Sequence, residues 1–423
     1  MRFVILLIAV YIQIQQAQAN KKEIKSLVIF FRHGSRTTNH KHYYDNELWQ
    51  GYQRGDLTKK GHTELHGLGQ TFREIYSQFL EVEQEVKEQA KEETQTKQNN
   101  LSQEHVRLKH SHINRTKSSL MSFLLGAFPN WFHPDASPHN EHLNKPIRNL
   151  KTVNDKEKLK KDYTFLLGEE QCPLIKKIRD KVFQSKPMNF MQDIITQSYE
   201  YQKIRAKIRQ VEGFKLIQGH GYEDLADIYD IYMCHKSEGL PIPNFDKNDI
   251  SFIHMGTQFF IDEIYFGHRS LVKLASQKFF HDLFRIIESK NPKKLHIFSG
   301  HEVNIISLFM NMLTREEQNN ILGRSFHTKL LPFAAHVIIE FLNNGNVKFL
   351  YDFKPLKIKL CQYQEECNGK LFKTFLKTRI MPNARKLCFY HYKHILEREK
   401  DLKNLQKQML QPPHEEEDNE EQI

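Results

Sequence analysis

Residues 26–36 have the sequence SLVIFFRHGSR, in which an uninterrupted apolar run leads into a cluster of polar side chains. The run over residues 26–31 is short and rich in β-branched and aromatic residues. A strand buried on both faces, as in a parallel sheet, has this composition. Gly34 permits a tight turn directly after the strand. The polar side chains presented there are Arg32, His33 and Arg36.

A second junction of the same kind lies near the other end of the chain. Residues 295–299 (LHIFS) form another short apolar run, Gly300, His301 and Glu302 follow it, and residues 303–313 are apolar with helical spacing. In open α/β sheets the binding crevice lies beyond the carboxyl ends of the strands. We therefore expect a doubly wound α/β fold whose sheet is mainly parallel, with helices on both faces and an inserted, mostly α cap.

The side chains at the two junctions suit one kind of ligand. Arginine binds phosphate oxygens in a fork and neutralises their charge. A neutral imidazole can attack phosphorus, and a nearby carboxylic acid can protonate the leaving alkoxide. For an isolated RHG tripeptide, however, a histidine that caps a turn beside solvated arginines is the more common outcome. The wider sequence has to decide between these readings.

Segments that follow one another in order along the chain resemble the motifs of histidine acid phosphatases of the prostatic and lysosomal type. They are residues 31–36 (family RHGxRxP), 55–61 (GxLTxxG), 68–76 (LGxxxRxxY), 106–107 with 114–116 and 122–123 (VRST…DRT…S), 299–302 (SAHD) and 331–335 (PPYAS). Thr38 stands where that family has the proline of its first motif, and Glu302 stands where it has aspartate. The matched region extends from Leu27 to Cys388.

The resemblance implies hydrolysis of phosphate monoesters through a phosphohistidine, without a metal or other cofactor. It makes His33 the nucleophile and Glu302 the proton donor. The phosphate oxygens would be bound by Arg32, Arg36, Arg107 and His301. Two further readings stay open: a specialised phosphatase for inositol phosphates or lysophospholipids, and a phosphate-binding protein on the same fold that does not turn over its ligand.

The resemblance also gives a pairing for the cysteines, of which the chain has 5. An odd number leaves at least one thiol over. By position, Cys361 and Cys367 correspond to a short local disulfide of the family, and Cys172 and Cys388 to a long-range one. Cys234 resembles a third half-cystine whose partner position is taken by His336, so we expect it to be free.

The N-terminus has the features of a secretory signal peptide. Arg2 gives a short positive segment, residues 3–14 are apolar apart from Gln13, and the small residues Ala17 and Ala19 fit a cleavage site. The apolar stretch is shorter than a bilayer span needs. We expect residues 1–19 to be removed and the mature chain to be secreted or lysosomal; an uncleaved anchor or a buried first strand is less favoured.

Composition shifts suggest how the mature chain is organised. We expect a first part of the α/β core, interrupted by a charged insertion with a glycosylation sequon at Asn100, then the cap, the second part of the core and a polar acidic tail. The first part of the core is expected over residues 20–130, with the insertion at 81–104, and the cap over 131–250. The second part of the core follows over 251–395 and the tail over 396–423.

The net charge of +11 restricts the partners. Nucleic acid would fit a basic protein, but the lysines are scattered and the C-terminus is acidic. A small phosphate ester is the better match, and no later segment is apolar enough for stable membrane insertion. The resembled family commonly forms dimers, which leaves a homodimer open. The 23 histidines offer no complete metal-ligand set and are interpreted as structural or solvated.

Overall fold

The computed structural model describes residues 24–39, 48–81, 105–140, 143, 172–210, 221–266, 269–321, 331–381, 384 and 388. The expected signal peptide, residues 82–104 of the charged insertion and the acidic tail therefore lie outside the described residues. So does Asn100 of the glycosylation sequon.

Both strands expected from the apolar runs are present, and they are neighbours. Strand β1 (Ile24–Arg32) pairs in parallel with β3 (Leu295–Gly300), and the register sets Arg32 opposite Gly300. Strand β2 (Val106–His110) pairs in parallel with the other side of β3. The carboxyl ends of β1, β2 and β3 consequently meet at one edge of the sheet.

The remaining strands run antiparallel. Strand β4 (His336–Leu342) lies on the free side of β1, and β5 (Val347–Tyr351) returns beside β4 after a short turn that contains Gly345. Strands β6 (Lys354–Pro355) and β7 (Glu366–Cys367) both pair with β5. The α/β fold is confirmed, but its sheet is mixed, because β4 runs antiparallel to β1 and a hairpin then sets β5 antiparallel to β4. Parallel order is limited to β1, β2 and β3, and the two junctions follow β1 and β3.

Helices cover both faces of the sheet. In chain order the described α-helices are α1 (Lys59–Ile75), α2 (Ser77–Glu81), α3 (Asn114–Ala127), α4 (Pro173–Phe183), α5 (Lys186–Gln197), α6 (Tyr199–Arg209), α7 (Tyr222–Glu238), α8 (Lys247–Ile261), α9 (Arg269–Glu288), α10 (Glu302–Met312), α11 (Arg315–Ile321) and α12 (Gly369–Arg379).

Alternate side chains of β1 enter two different cores, as the two-residue period of a strand requires. Val28 and Phe30 belong to an apolar cluster with α9, α10 and α12. Ile29 and Phe31 belong to a cluster with α1 and α3 on the opposite face. Burial on both faces explains why this strand has an uninterrupted apolar sequence.

A third apolar cluster is formed by helices α5 to α8 and includes Ile204, Leu225, Ile228 and Ile253. Beyond this cluster, α8 ends at Ile261, a π-helical turn spans Asp262–Phe266, and α9 begins at Arg269. Single π-helical turns are frequent at functional sites. Here the turn presents Tyr265 to the cavity described below.

Two disulfides, Cys172–Cys388 and Cys361–Cys367, follow the pairing that the resemblance implied. Cys234 is a free, buried thiol on α7. Within the described part of the chain, no helix is both long enough and apolar enough to span a membrane.

Candidate active site

The two junctions meet because their strands are adjacent. Arg32 is the last residue of β1 and His33 follows it, while His301 and Glu302 link β3 to α10. The imidazole rings of His33 and His301 lie edge to face with centroids 5.3 Å apart. The convergence expected from the sequence is thus produced directly by parallel pairing.

The loop after β1 is held against the start of α1 by close backbone contact. A Cβ atom on Gly34 would lie 2.4 Å from the carbonyl oxygen of Gly61, and one on Gly61 would lie 2.1 Å from that of Ser35. Thr58 caps α1 by accepting a hydrogen bond from the Gly61 amide. Residues 55–61 therefore act as a support that fixes the loop bearing His33 and Arg36.

A cavity of about 400 Å³ opens above these residues. Of the six residues proposed from the sequence, five line it: Arg32, His33, Arg36, His301 and Glu302. A third arginine, Arg115, completes its basic side. Arg115 lies in the first turn of α3, which begins just beyond the carboxyl end of β2.

The structure does not bring Arg107 into the cavity, which corrects the placement expected for it. Arg107 lies in the middle of β2, and its guanidinium contacts both carboxylate oxygens of Asp282 on α9 at 3.3 Å. Alternation along β2 turns Val106 and Leu108 to the face covered by α1 and α3. Arg107 consequently points to the opposite face and away from the strand end.

Arg115 could have been found in the sequence, since residues 114–116 (NRT) match the family's DRT segment. Asp230, a carboxylate of α7 that also lines the cavity, had no such signal. It belongs to a helix far away in sequence, in a region without a matched motif.

A backbone contact fixes the tautomer of His33. Its Nδ1 lies 2.9 Å from the carbonyl oxygen of Gly34. A carbonyl oxygen only accepts, so Nδ1 carries the proton and Nε2 keeps its lone pair. Burial, followed by the charge of Arg115, lowers the pKa of His33 well below its usual value. The ring therefore stays neutral to a lower pH than a free imidazole, and a neutral ring is available as a nucleophile.

The arginines differ in how their charge is balanced. Arg32 lies 2.6 Å from a carboxylate oxygen of Glu302. Arg36 contacts both oxygens of Asp230, at 2.5 and 3.2 Å. Arg115 reaches Asn39 at 3.4 Å and His301 at 3.5 Å, both uncharged acceptors. Burial and the neighbouring Arg36 lower the pKa of Arg115 to about 9. An anion in the cavity would relieve this excess of positive charge.

Glu302 has the properties of a proton donor. Burial raises its pKa above the ordinary value, although Arg32 and Arg36 oppose that shift. His301 is held by the Ser111 hydroxyl, 2.8 Å from its Nε2. Burial, and then Arg115, keep the pKa of His301 well below its usual value. The cavity thus combines two imidazoles whose pKa is lowered, a carboxyl group whose pKa is raised, and three guanidinium groups.

Known proteins with related sequences are acid phosphatases. The chain is 26% identical over 307 residues to a venom acid phosphatase of Apis mellifera, which covers 68% of either chain. It is 21% identical over 390 residues to a probable acid phosphatase of Dictyostelium discoideum, covering 84% of this chain and 76% of that one. No family model matches the chain.

The fold has a solved counterpart in Hafnia alvei phytase in complex with tartrate. The TM-score is 0.56, the sequences are 13% identical, and the match covers 86% of this chain and 98% of the phytase. At that level of identity the likeness shows the fold and leaves the reaction to the residues of the cavity.

Proposed function

We propose that this chain is a histidine acid phosphatase, which hydrolyses phosphate monoesters with His33 as the nucleophile. The observation that carries the proposal is the neutral His33 imidazole, whose Nε2 lone pair is available, within a cavity that holds three arginines. Arg32, Arg36 and Arg115 bind the phosphate oxygens, and Arg115 takes the role first expected of Arg107.

The first step transfers the phosphoryl group to the enzyme. Nε2 of His33 attacks phosphorus, the bond from phosphorus to the ester oxygen breaks, and that oxygen leaves with its electron pair. Glu302 donates its proton to the leaving oxygen and becomes a carboxylate. The arginines stabilise the charge on the equatorial oxygens, as in other phosphoryl transfers. His301 contacts the Ser111 hydroxyl through Nε2 and the Arg115 guanidinium through Nδ1, and so helps to hold Arg115 in place.

The second step releases phosphate. A water molecule attacks phosphorus on the side that the alcohol has left, and Glu302 accepts a proton from that water. The bond between phosphorus and Nε2 breaks, and its electron pair returns to His33. The imidazole is then neutral again, Glu302 is protonated, and inorganic phosphate dissociates.

The electrostatics favour activity in acid. A lowered pKa keeps His33 unprotonated as the pH falls, and a raised pKa keeps Glu302 protonated as the pH rises from strongly acidic values. The first step needs both of these states at once. We expect activity to decline when the pH passes above the raised pKa of Glu302.

We further propose that the protein works in an oxidising compartment, outside the cell or in a lumen. The two disulfides support this assignment. So does the sequence relative named as a venom enzyme.

Hydrolysis of p-nitrophenyl phosphate between pH 4 and 8 tests the proposal. We expect an acid optimum in the wild type and a loss of at least about a thousandfold in kcat for His33→Ala, because the nucleophile is removed. The matched control is His62→Asn. His62 is a half-buried histidine that bonds to Ser122 on α3 and does not line the cavity.

Equal turnover by His33→Ala and wild type would refute the phosphohistidine mechanism. A wild type that binds phosphate but turns over no ester would instead indicate a binding protein. Loss of activity in the His62→Asn control as well would mean that the assay reports folding and not the nucleophile.

A further inference from the structure

The two sides of the cavity carry opposite charges. Among the described lining residues, the arginines all come from the core side, at the carboxyl ends of the parallel strands. The facing wall is formed by α7, α8 and the π-helical turn. It presents two carboxylates among apolar and aromatic side chains, namely Asp227, Asp230, Tyr229, Met233, Phe260 and Tyr265.

Asp230 shows how close that wall comes to the phosphate site. It holds the Arg36 guanidinium through both of its oxygens. A phosphate bound to Arg36 is therefore within a few ångströms of this carboxylate. The group esterified to that phosphate has to leave the arginine cluster along a path bordered by Asp230.

Asp227 lies one helical turn before Asp230 on α7, and both line the cavity. Side chains at that spacing on a helix are about 5–6 Å apart. This is about the distance between the phosphorus of a small ester and a substituent two carbons along its leaving group. Burial, and then the charge of Asp230, raise the pKa of Asp227 to about 7, because two carboxylates on one wall repel each other. Asp227 therefore carries its full charge only above about neutral pH.

We infer that this acidic wall orders substrates by the charge of their leaving group, favouring phosphate esters of amino alcohols, then neutral alcohols, and disfavouring esters that carry a further anion. The inference rests on the proposed function and names its substrate class. A positive charge on the leaving group relieves the repulsion between Asp227 and Asp230. A carboxylate or second phosphate there adds to it, and a like-charge contact of this kind is an effective way to reject a substrate.

The distances set the size of the effect. Charges about 6 Å apart at the edge of a protein interact strongly enough to change a rate constant by about tenfold to a hundredfold. We expect kcat/KM for an ester with a cationic leaving group to exceed that for an ester with an anionic leaving group by at least about tenfold.

Three esters of similar size isolate the charge: O-phosphoethanolamine, propyl phosphate and 2-phosphoglycolate. At pH 7 to 7.5, where Asp227 is ionised, we expect kcat/KM of the wild type to decrease in that order, and the differences should shrink as the pH falls toward 5. The informative quantity is kcat/KM for O-phosphoethanolamine divided by kcat/KM for 2-phosphoglycolate. This ratio is compared between wild type, Asp227→Asn and Asp230→Asn. Because the same esters are used throughout, their intrinsic reactivities cancel from the comparison. Each variant should reduce the ratio by about tenfold.

Asp193→Asn is the matched control, since it removes the same charge from an exposed site on α5 outside the cavity. It should leave the ratio unchanged. Asp230→Asn also alters a contact of Arg36, so Asp227→Asn, which keeps that contact, is the decisive variant.

The outcomes separate this inference from the proposed function. Hydrolysis of all three esters with one common kcat/KM, or an unchanged ratio in Asp227→Asn, would overturn the inference and leave the phosphatase intact. An equal decrease in Asp193→Asn would show that net charge, and not the wall, is responsible, and would overturn it as well. Loss of all turnover in the wild type would instead count against the proposed function.

Discussion

Arg107 and Arg115 lie close in sequence, on either side of the end of β2, yet they meet opposite surroundings. Arg107 shares the fully buried carboxylate of Asp282 with Lys109 and Lys278. Among the described residues, Arg115 hydrogen-bonds only to neutral groups and lies beside two other arginines, whose effect the charge of Asp230 offsets in part. An arginine that is paired with a carboxylate of the protein stabilises the fold, whereas a buried arginine without such a pair favours the binding of an anion.

Removing each guanidinium in turn gives the largest expected contrast. We expect Arg115→Met to lower kcat/KM for p-nitrophenyl phosphate by about a hundredfold to a thousandfold, the usual loss for one transition-state donor. Arg107→Met should change kcat/KM by less than about threefold, because Arg107 does not line the cavity and its guanidinium is paired with Asp282. Steady-state kinetics near pH 5 measures both. Similar losses of kcat/KM in the two variants would contradict the assignment of phosphate binding to Arg115 and of a structural role to Arg107.

The cluster around Asp282 allows a test by pH. Burial alone would raise the pKa of Asp282, but Lys109, Arg107 and Lys278 lower it to about 2. The folded-state pKa is thus below the unfolded one, so the stabilisation is complete above about pH 4 and is lost as the pH falls through about 2. We expect Asp282→Asn to destabilise the protein by about 2 kcal/mol at pH 5 to 7.

Thermal or urea unfolding across pH 2 to 7 measures that difference. The gap between wild type and Asp282→Asn should be constant from pH 7 to 4 and should close near pH 2. Asp180→Asn, which removes an exposed carboxylate paired with Lys176, is the control and should cost less than about 0.5 kcal/mol. A gap that persists undiminished at pH 2 would show that the carboxylate's charge is not what the cluster needs.

The smallest effect concerns the sign of two stability changes. Arg115→Met should raise the free energy of unfolding by about 1 kcal/mol in phosphate-free buffer, because it removes a buried charge that has no hydrogen-bonded carboxylate among the described residues. Arg107→Met should lower it by a similar amount. Adding inorganic phosphate should stabilise the wild type and Arg107→Met but not Arg115→Met. Destabilisation by Arg115→Met without phosphate would mean that its charge is better matched than the contacts indicate.

The sequence predicted the parts of the site that depend on neighbouring strands. Two apolar runs, each followed by polar residues, were enough to place His33 beside His301, because parallel pairing brings strand ends together. Arg107 was assigned to the phosphate by its match to the family's VRST segment, and no strand was predicted there. Residues 106–110 alternate between buried and partly buried positions, and that alternation places Arg107 in the middle of the strand, not at its end.

The acidic wall could not be predicted in this way. Asp230 and Arg36 are 194 positions apart, and their contact depends on how α7 packs against the loop after β1. Ser237 and Glu238 at the end of α7 hold that arrangement by bonding Ser35 at 2.6 Å and Thr58 at 2.7 Å. No local pattern encodes a contact between two such distant segments, and no matched motif covers α7.

The disulfide between Cys172 and Cys388 closes a covalent ring across 216 positions of sequence. Helices α4 to α12 and strands β3 to β7 lie inside the ring, whereas β1, α1, β2 and α3 belong to an open arm. The nucleophile and the three cavity arginines are on the arm, and His301, Glu302 and Asp230 are in the ring.

Strand β1 fills the slot between β3 and β4, two strands of the ring. Oxidation restricts the unfolded ring, by about 5 kcal/mol of chain entropy for a loop longer than 100 residues, but leaves the arm unrestricted. The cavity therefore comes into existence only when the arm inserts its central strand into the ring, a long-range step of the slow kind in folding.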